Sequence, residues 1–530
     1  MNSSLLQFTR NKIPTTRVLI DRTLVVIAFA FIAALTWQHW SMIGAPFLLE
    51  YREGSVLTVG QHILGGLNPF TLESLPENTY VYGFIYPYLG APVAWLFGDL
   101  LLGYRLTSAL FIFLCSALIL IALRREKIPW GLALIGAAIF HAYQLQWLVY
   151  TARCDSLGLF FFLVAIYWPY WRGWSYRSLA VSSVLCIAAF YTKPYFLYSL
   201  AVVGLFVLLF QSKKKAMFFG SALIVVASAS AIVVNLIFPT FFLANIFLHT
   251  NYAIENFGHL VWQLEVFTQK MWPLLVALLS GLLWWGYWRL RNGLRFRIRP
   301  FRRFDEPVFK PEMNFHLFGF LMGFAVIVLV LGKHGGNFMI YLYQFMLPFL
   351  ITASFTVRFP HREKLYLGYV LPFVALVSLL FGWKTARDQF FVTPVQIGGE
   401  ADVVRLISEA ERVYSTPVFV PQLIEQEKKV WDNGLTQYFK KHSYPEFLSG
   451  VLPPLSETEG RWSEYQMDLS NKVKNQYFDL IVLNGNFGDV VDRDSVEENY
   501  ELLRTTHYRV PEQNILLEFW IPGRESPSVE

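Results

Sequence analysis

Charge is what this sequence is short of. Only 15% of its 530 residues are Asp, Glu, Lys or Arg, against about a quarter in an ordinary soluble domain, and that excludes a plain water-soluble globule. Cysteine is scarce as well. Cys115, Cys154 and Cys186 all fall in or beside apolar runs, which leaves no paired disulfide framework and no CxxC metal spacing. No HExxH pattern and no internal repeat is present. The stretch Asn484 to Asp489 follows a strand-like run and contains two glycines, but it lacks the GxGxxG spacing and reads as a turn rather than a dinucleotide site. What is abundant is apolar: 55% of residues are hydrophobic and 17% aromatic, with a mean hydropathy of +0.41. Disorder and collagen are excluded, and much of the chain belongs in lipid.

Eleven apolar runs come close to the roughly 20 residues that a bilayer crossing needs. They lie near 20–40, 106–123, 129–149, 156–171, 178–192, 194–210, 216–238, 271–288, 314–332, 338–356 and 365–383. Their connections carry Lys and Arg unevenly. With a cytoplasmic N-terminus, 23 basic residues fall inside and only six outside: Arg52, Arg105, Arg153, Lys193, Lys270 and Lys333. Positive charge collects on the cytoplasmic side of membrane proteins, so this order predicts eleven crossings with the C-terminal tail outside. The Arg-rich segment 289–303 then reads as a cytoplasmic loop against anionic headgroups rather than a nucleic-acid site. The first run is long, is preceded by Asp21 and Arg22, and has no small-residue cleavage site before Trp37, as expected of a signal anchor.

The net charge of +6 hides two opposed parts. Residues 1–383 carry +15, and residues 384–530 carry −9. The division predicts a transmembrane domain, 1–383, and an extracytoplasmic domain, 384–530. In the tail, Glu400–Tyr414 has helical apolar spacing, while 417–420, 478–483 and 515–520 are short β-branched or apolar runs, and this order predicts a small α/β domain. Trp431, Trp462 and Trp520 are its candidate stacking surfaces for glycan, with a core position the plainer reading of Trp520.

Residues 41–105 form the longest outer connection, and loops of this length on a compact bundle usually carry function. Within it, Ser55–Leu64 and Tyr82–Phe97 read as helices lying at the membrane interface. Glu50 and Glu53 stand near the outer end of the first span, and Asp155 stands beside Arg153 at the outer end of the fourth. Ionisable groups at that depth are costly unless they are paired or face a wet cavity. Three acids and several cations on one membrane face therefore point to a single polar site.

These residues resemble a known family. Tyr51-Arg52-Glu53-Gly54, then a helix ending in Gly65-Gly66-Leu67-Asn68-Pro69-Phe70, then Tyr86-Pro87, is similar to the first outer loop of the polytopic GT-C glycosyltransferases, in particular the bacterial mannosyltransferase and aminoarabinose transferase-like group. Ala152-Arg153-Cys154-Asp155-Ser156-Leu157 resembles their Arg-Pro-Asp-x-Leu span start, with Cys154 in place of Pro. Tyr191-Thr192-Lys193-Pro194 resembles their Thr-Lys-Gln element, and Lys333–Tyr343 a later outer loop. The resemblance covers most of 20–383. It implies an all-α membrane bundle with a long first outer loop, an extracytoplasmic C-terminal domain, and transfer of a sugar from a polyprenyl-phosphate carrier to an acceptor hydroxyl at the outer face. The acceptor would be a glycan, a lipid or a protein.

Such a transfer needs one general base, because the phosphate ester leaves without protonation, and cations to hold the phosphate. The acid-Gly position makes Glu53 the expected base by resemblance, with Glu50 as runner-up. Asp155 either orients an acceptor or pairs with Arg153 as a structural cap. Lys193 and Lys333 are the expected phosphate ligands, followed by Arg153 and His334, and Tyr51, Tyr82, Tyr86, Asn251 and Asn337 are the expected substrate-loop residues. Asn251 belongs to a loop, 239–270, that also holds Asn245, His249, Glu255 and His259 and is placed to cover the donor. No cofactor is firmly implied, and a divalent metal stays open. The competing readings are a transporter or lipid flippase, which the missing inverted repeat disfavours, and a membrane scaffold whose tail binds a partner. The sequence ends in no ER retention signal, and the expected location is a bacterial inner membrane.

Overall fold

The computed structural model describes residues 3–145, 151–248, 257–291, 313–329, 341–357, 370–390, 396–440, 452–484, 490–510 and 513–523. Its helical part runs α1 (Ser3–Ile43), α2 (Glu53–Leu64), α3 (Ile85–Phe97), α4 (Leu100–Arg125), α5 (Trp130–Leu145), α6 (Asp155–Trp171), α7 (Tyr176–Thr192), α8 (Tyr198–Phe210), α9 (Lys213–Ile237), α10 (Phe257–Arg291), α11 (Phe315–Leu329), α12 (Leu347–Thr356) and α13 (Leu371–Phe390). Each of the eleven apolar runs holds a helix over all or part of its length. Among the described residues four helical segments, Val18–Ile43, Leu100–Arg125, Lys213–Ile237 and Phe257–Leu283, are long and apolar enough to cross a membrane. The two helices expected within 41–105 are present as α2 and α3. The tight connections are closed by side-chain caps: Asp99 accepts from the Leu102 amide at 3.0 Å, Ser175 from Ser178 at 3.3 Å and Ser212 from Lys215 at 3.4 Å. Each satisfies an amide that a helix start leaves without an intrahelical partner. The 239–270 connection departs from expectation. Helix α10 begins at Phe257, well before 271, and stays continuous through Pro273.

The C-terminal part contains β1 (Gln396–Ile397), α14 (Glu400–Glu409), β2 (Val413–Ser415), α15 (Val420–Glu425), α16 (Leu455–Lys474), β3 (Leu480–Asn484), α17 (Arg493–Asn499), β4 (Tyr500–Val510) and β5 (Gln513–Pro522). The strands form one sheet in the order β1-β4-β5-β3-β2, with only β2–β3 parallel. Every residue of β3, Leu-Ile-Val-Leu-Asn, is buried, as a strand covered on both faces requires. Two expectations shift. The helix from Glu400 stops at Glu409, because Val413–Ser415 pair with Leu480–Val482. The expected strand at 417–420 is a 3-10 turn, Pro417–Phe419, entering α15, since proline has no amide for a ladder and suits a helix start.

Three hydrophobic cores hold the molecule. The first fills the helical bundle. The second is shared: Leu48, Val56 and Val59 from the first outer loop pack in one cluster with Tyr414, Val420, Trp431, Trp462 and Phe478 from the C-terminal part. The third lies under the opposite face of the sheet and takes in Phe47. The candidate tryptophans Trp431, Trp462 and Trp520 are 5%, 8% and 8% exposed, so they are core residues and offer no open stacking face.

Candidate active site

The C-terminal ends of α1 and α7 and the N-terminal ends of α4 and α6 bring the expected acids and cations together with the Glu50–Gly54 turn. Glu53 opens α2, where the positive end of the helix dipole favours a carboxylate. It is 0% exposed, and its two oxygens meet the fork of Arg105, Nε at 2.9 Å and Nη2 at 2.9 Å. They also accept from the amides of Leu49 at 2.6 Å, Ala152 at 2.7 Å and Glu50 at 3.4 Å. Arg105, itself 0% exposed, donates onward to the carbonyls of Ile43 at 3.3 Å, Ala45 at 2.5 Å and Phe47 at 2.7 Å. The pair thus ties off the C-terminal end of α1 and fixes the loop behind it. Both charges are paired and their hydrogen-bonding capacity is occupied, the condition under which a buried ion pair persists.

Glu50 differs. Its side chain is 8% exposed, with Arg52 Nη1 at 3.4 Å and Arg153 Nη1 at 3.8 Å, and it accepts one backbone hydrogen bond, from the Arg52 amide at 3.1 Å. Asp155 starts α6 and Lys193 ends α7, each at the helix terminus that suits its charge. Lys193 Nζ donates to Asp155 Oδ1 at 2.7 Å, Gln344 Nε2 donates to the same oxygen at 3.0 Å, and Arg153 Nε lies 3.0 Å from Oδ2. Burial opposes the charge on Arg153, but Asp155 and Glu50 outweigh it and hold the guanidinium firmly protonated. Its Nη1 makes no hydrogen bond among the described residues.

Tyrosines wall the cluster. Lys193 Nζ lies over the rings of Tyr82, Tyr195 and Tyr341 at 5.0, 5.7 and 5.8 Å, and Arg52 stacks on Tyr51 at 4.7 Å. Burial raises the Tyr51 hydroxyl well above its ordinary range, which keeps it a neutral donor. The net composition is three cations, Arg52, Arg153 and Lys193, around two carboxylates, Glu50 and Asp155, beside the closed Glu53–Arg105 pair.

The other sequence candidates divide. Tyr86 is fully buried and donates to the Tyr104 carbonyl at 2.8 Å, with Ser108 Oγ at 2.7 Å, so it braces α3 against α4 instead of facing the cluster. Asn245 donates to the Tyr82 carbonyl at 2.8 Å and braces that strand of the loop. His259 stacks on Trp262. Lys333, His334, Asn337, Asn251, His249 and Glu255 lie outside the described residues. Among the described residues no three His, Cys, Asp or Glu side chains gather as a metal set. Sequence reasoning missed Arg105 as a partner, and it missed Gln344, Tyr195 and Tyr341. Gln344 did carry a signal, as a polar residue inside an apolar run, and it sits in a π turn, Leu342–Met346, an irregularity frequent at functional sites.

No protein-family model matches the chain, and no curated protein is similar enough in sequence to count as a relative. Solved structures do match. The likeness is one of fold, and it extends over nearly the whole chain. The chain is similar to ArnT from Cupriavidus metallidurans in the apo state, with a TM-score of 0.55 and 12% identity over 92% of this chain and 97% of that one. The same protein bound to undecaprenyl phosphate matches with a TM-score of 0.52 and 12% identity over 93% and 98%.

Proposed function

We propose that this chain is a multi-pass membrane glycosyltransferase that moves a hexosyl or pentosyl group from a polyprenyl-phosphate donor to an acceptor hydroxyl at the outer face of a bacterial inner membrane. The N-terminus is cytoplasmic and the chain crosses eleven times, which puts the acid cluster and the C-terminal domain outside. The observation that carries the reading is an excess of cation in one cluster, Arg52 and Arg153 set against Glu50 and Arg153 and Lys193 against Asp155, in a fold that in ArnT binds undecaprenyl phosphate.

We assign the base to Glu50 and a positioning role to Glu53. The acceptor O–H gives its proton to the Glu50 carboxylate as the oxygen attacks the anomeric carbon. The bond from that carbon to the phosphate oxygen breaks, and the electron pair leaves with the lipid phosphate. Arg153, Arg52 and Lys193 stabilise the charge that the phosphate gains, in a site where preorganised cations need no reorganisation during reaction. One displacement inverts the anomeric configuration. Glu53 cannot accept that proton without releasing donors already aimed at it, and Asp155 is 1% exposed and held by Lys193, Arg153 and Gln344. Its work is to aim the lysine and the arginine.

The test is donor turnover by the purified full chain, offered a panel of polyprenyl-phosphate sugars, alongside binding of undecaprenyl phosphate. Release of undecaprenyl phosphate from at least one donor supports the reading. Failure to bind the lipid phosphate or to turn over any donor sinks it.

A further inference from the structure

We infer that Gln344 reads the donor sugar: its side-chain oxygen accepts a hydrogen bond from the substituent next to the anomeric carbon, so the donors used carry an O–H or N–H there. This rests on the function proposed above. Gln344 is 0% exposed in an otherwise apolar and aromatic turn, Leu-Tyr-Gln-Phe-Met, and a buried amide is costly unless both its ends are satisfied. The backbone is shaped to present it. Residues Leu342–Met346 form the π turn, and Gln144 of α5 donates to the Tyr343 carbonyl at 3.0 Å. Helix α11 approaches so closely that a Cβ on Gly323 would stand 2.7 Å from the Phe345 carbonyl oxygen.

The orientation of the amide follows from its partner. An ionised carboxylate only accepts, so the end that meets Asp155 Oδ1 at 3.0 Å is the NH2 group, and Oε1 is the other end. That oxygen is buried and has no hydrogen-bond partner among the described residues. Lys193 Nζ shares Asp155 Oδ1 at 2.7 Å, which sets the amide beside the ammonium assigned to the phosphate. At the other carboxylate oxygen stands Arg153, with Nε at 3.0 Å, and its Nη1 is a buried donor with no hydrogen bond among the described residues. Two complementary needs therefore flank one carboxylate, an acceptor at the guanidinium and a donor at the amide. A bare phosphate meets only the first. A glycosyl phosphate meets both, because its phosphate oxygens accept from Arg153 and Lys193 while the carbon after the anomeric centre brings an O–H or N–H to Gln344.

The experiment measures binding by the full chain in detergent of two ligands. One is the undecaprenyl-phosphate sugar that the donor panel finds turned over, and the other is its analogue with fluorine in place of the C2 substituent, which donates no hydrogen bond. Wild type is expected to bind the analogue about tenfold more weakly, the cost of leaving Oε1 unpaired. Gln344→Met removes the amide at nearly equal length and is expected to bind the two ligands within about threefold of each other. A purely structural role, holding Asp155 for the cations, would weaken both ligands alike and keep the wild-type ratio; that result overturns the inference. Equal binding of the two ligands by wild type overturns it as well, whether or not the variant folds. Gln344→Asn keeps a polar group but draws it back by one methylene, and it carries the same comparison if Gln344→Met is not recovered folded. In each of these cases the proposed function stands, whereas a chain that turns over no donor takes down both.

Discussion

Replacing Glu53 by Gln separates the two roles that a first-loop carboxylate can have. The substitution is isosteric and deletes one charge, yet every orientation of the new amide is unfavourable. Oε1 faces Arg105 Nε and the Ala152 amide, and Oε2 faces Arg105 Nη2 and the amides of Leu49 and Glu50. The NH2 group must point at two or three donors, and the Arg105 guanidinium, which is 0% exposed, loses its counter-charge. Breaking one side of a buried ion pair costs about 3–5 kcal/mol. At about 1.4 kcal/mol per decade, that is two to three and a half orders of magnitude in a folding equilibrium. The assay is heat or denaturant unfolding in detergent, followed by size-exclusion recovery, with Arg105→Met and the double variant alongside. Each single variant should lose monodisperse protein at markedly lower temperature, and the double variant should be no worse than Arg105→Met alone, because the two residues act as one unit. If Glu53→Gln unfolds like wild type and still loses all sugar transfer, then Glu53 is the base, as its acid-Gly position implied, and the structural role argued for it is wrong.

Three further outcomes follow from the same structure. Glu50→Gln should unfold like wild type and bind undecaprenyl phosphate, yet lose about 10²- to 10⁴-fold in kcat, the usual worth of a positioned base; turnover within a factor of three of wild type would remove Glu50 from that role. Burial raises the Asp432 carboxyl to about 6, so folding favours its protonated form, and the penalty for keeping it ionised grows as pH rises from about 4 through 6. Asp432→Asn should therefore stabilise the protein at pH 8, by at most about 3 kcal/mol, and change nothing at pH 4; melting curves at the two pH values check this, and a gain confined to low pH would contradict it. Because Cys115, Cys154 and Cys186 are all buried, Ser408→Cys on the exposed face of α14 should react with an impermeant maleimide added outside intact cells. Labelling only after the inner membrane is opened would break the eleven-crossing order.

Much of the helical frame was legible because bilayer thickness imposes a length on apolar runs. Helices α2 and α3 were legible from the helical apolar spacing of 55–64 and the apolar, aromatic run of 82–97. The sheet was legible only at β3 and β5, whose residues are apolar. Strand β4, Glu-Leu-Leu-Arg-Thr-Thr-His-Tyr-Arg after Tyr500, shows much of itself to water and was not seen; nothing in its composition marks it until β5 pairs with it from Tyr500 to Val510. Glu50, Glu53, Arg153, Asp155 and Lys193, all named from the sequence, do converge in the fold. What sequence could not do was tell Glu50 from Glu53. Three residues apart on one turn, they differ only in how many donors the fold aims at each, and those donors include Arg105, 52 positions away, and the Ala152 amide, 99 positions away.

That difference gives a reason for a costly buried ion pair beside Glu50, the base proposed above. A base on a mobile loop would need ordering at each turnover, and misplacement by about 1 Å costs as much as 10²-fold in rate. Here the turn is pinned from below by Glu53–Arg105, which binds the carbonyls at 43, 45 and 47 as well as the amides at 49 and 50. From above it is pinned by the Asn433–Gly434 loop, seated on Tyr51 and Gly54. Both clamps act on backbone and leave the Glu50 side chain with partners that are themselves cations. The Glu53–Arg105 pair is neutral as a unit, while Arg52, Arg153 and Lys193 outnumber Glu50 and Asp155 by one charge. Rigidity and charge are thus supplied by different residues, and the apolar core shared between the first loop and the C-terminal domain lets both clamps close on the same five-residue turn.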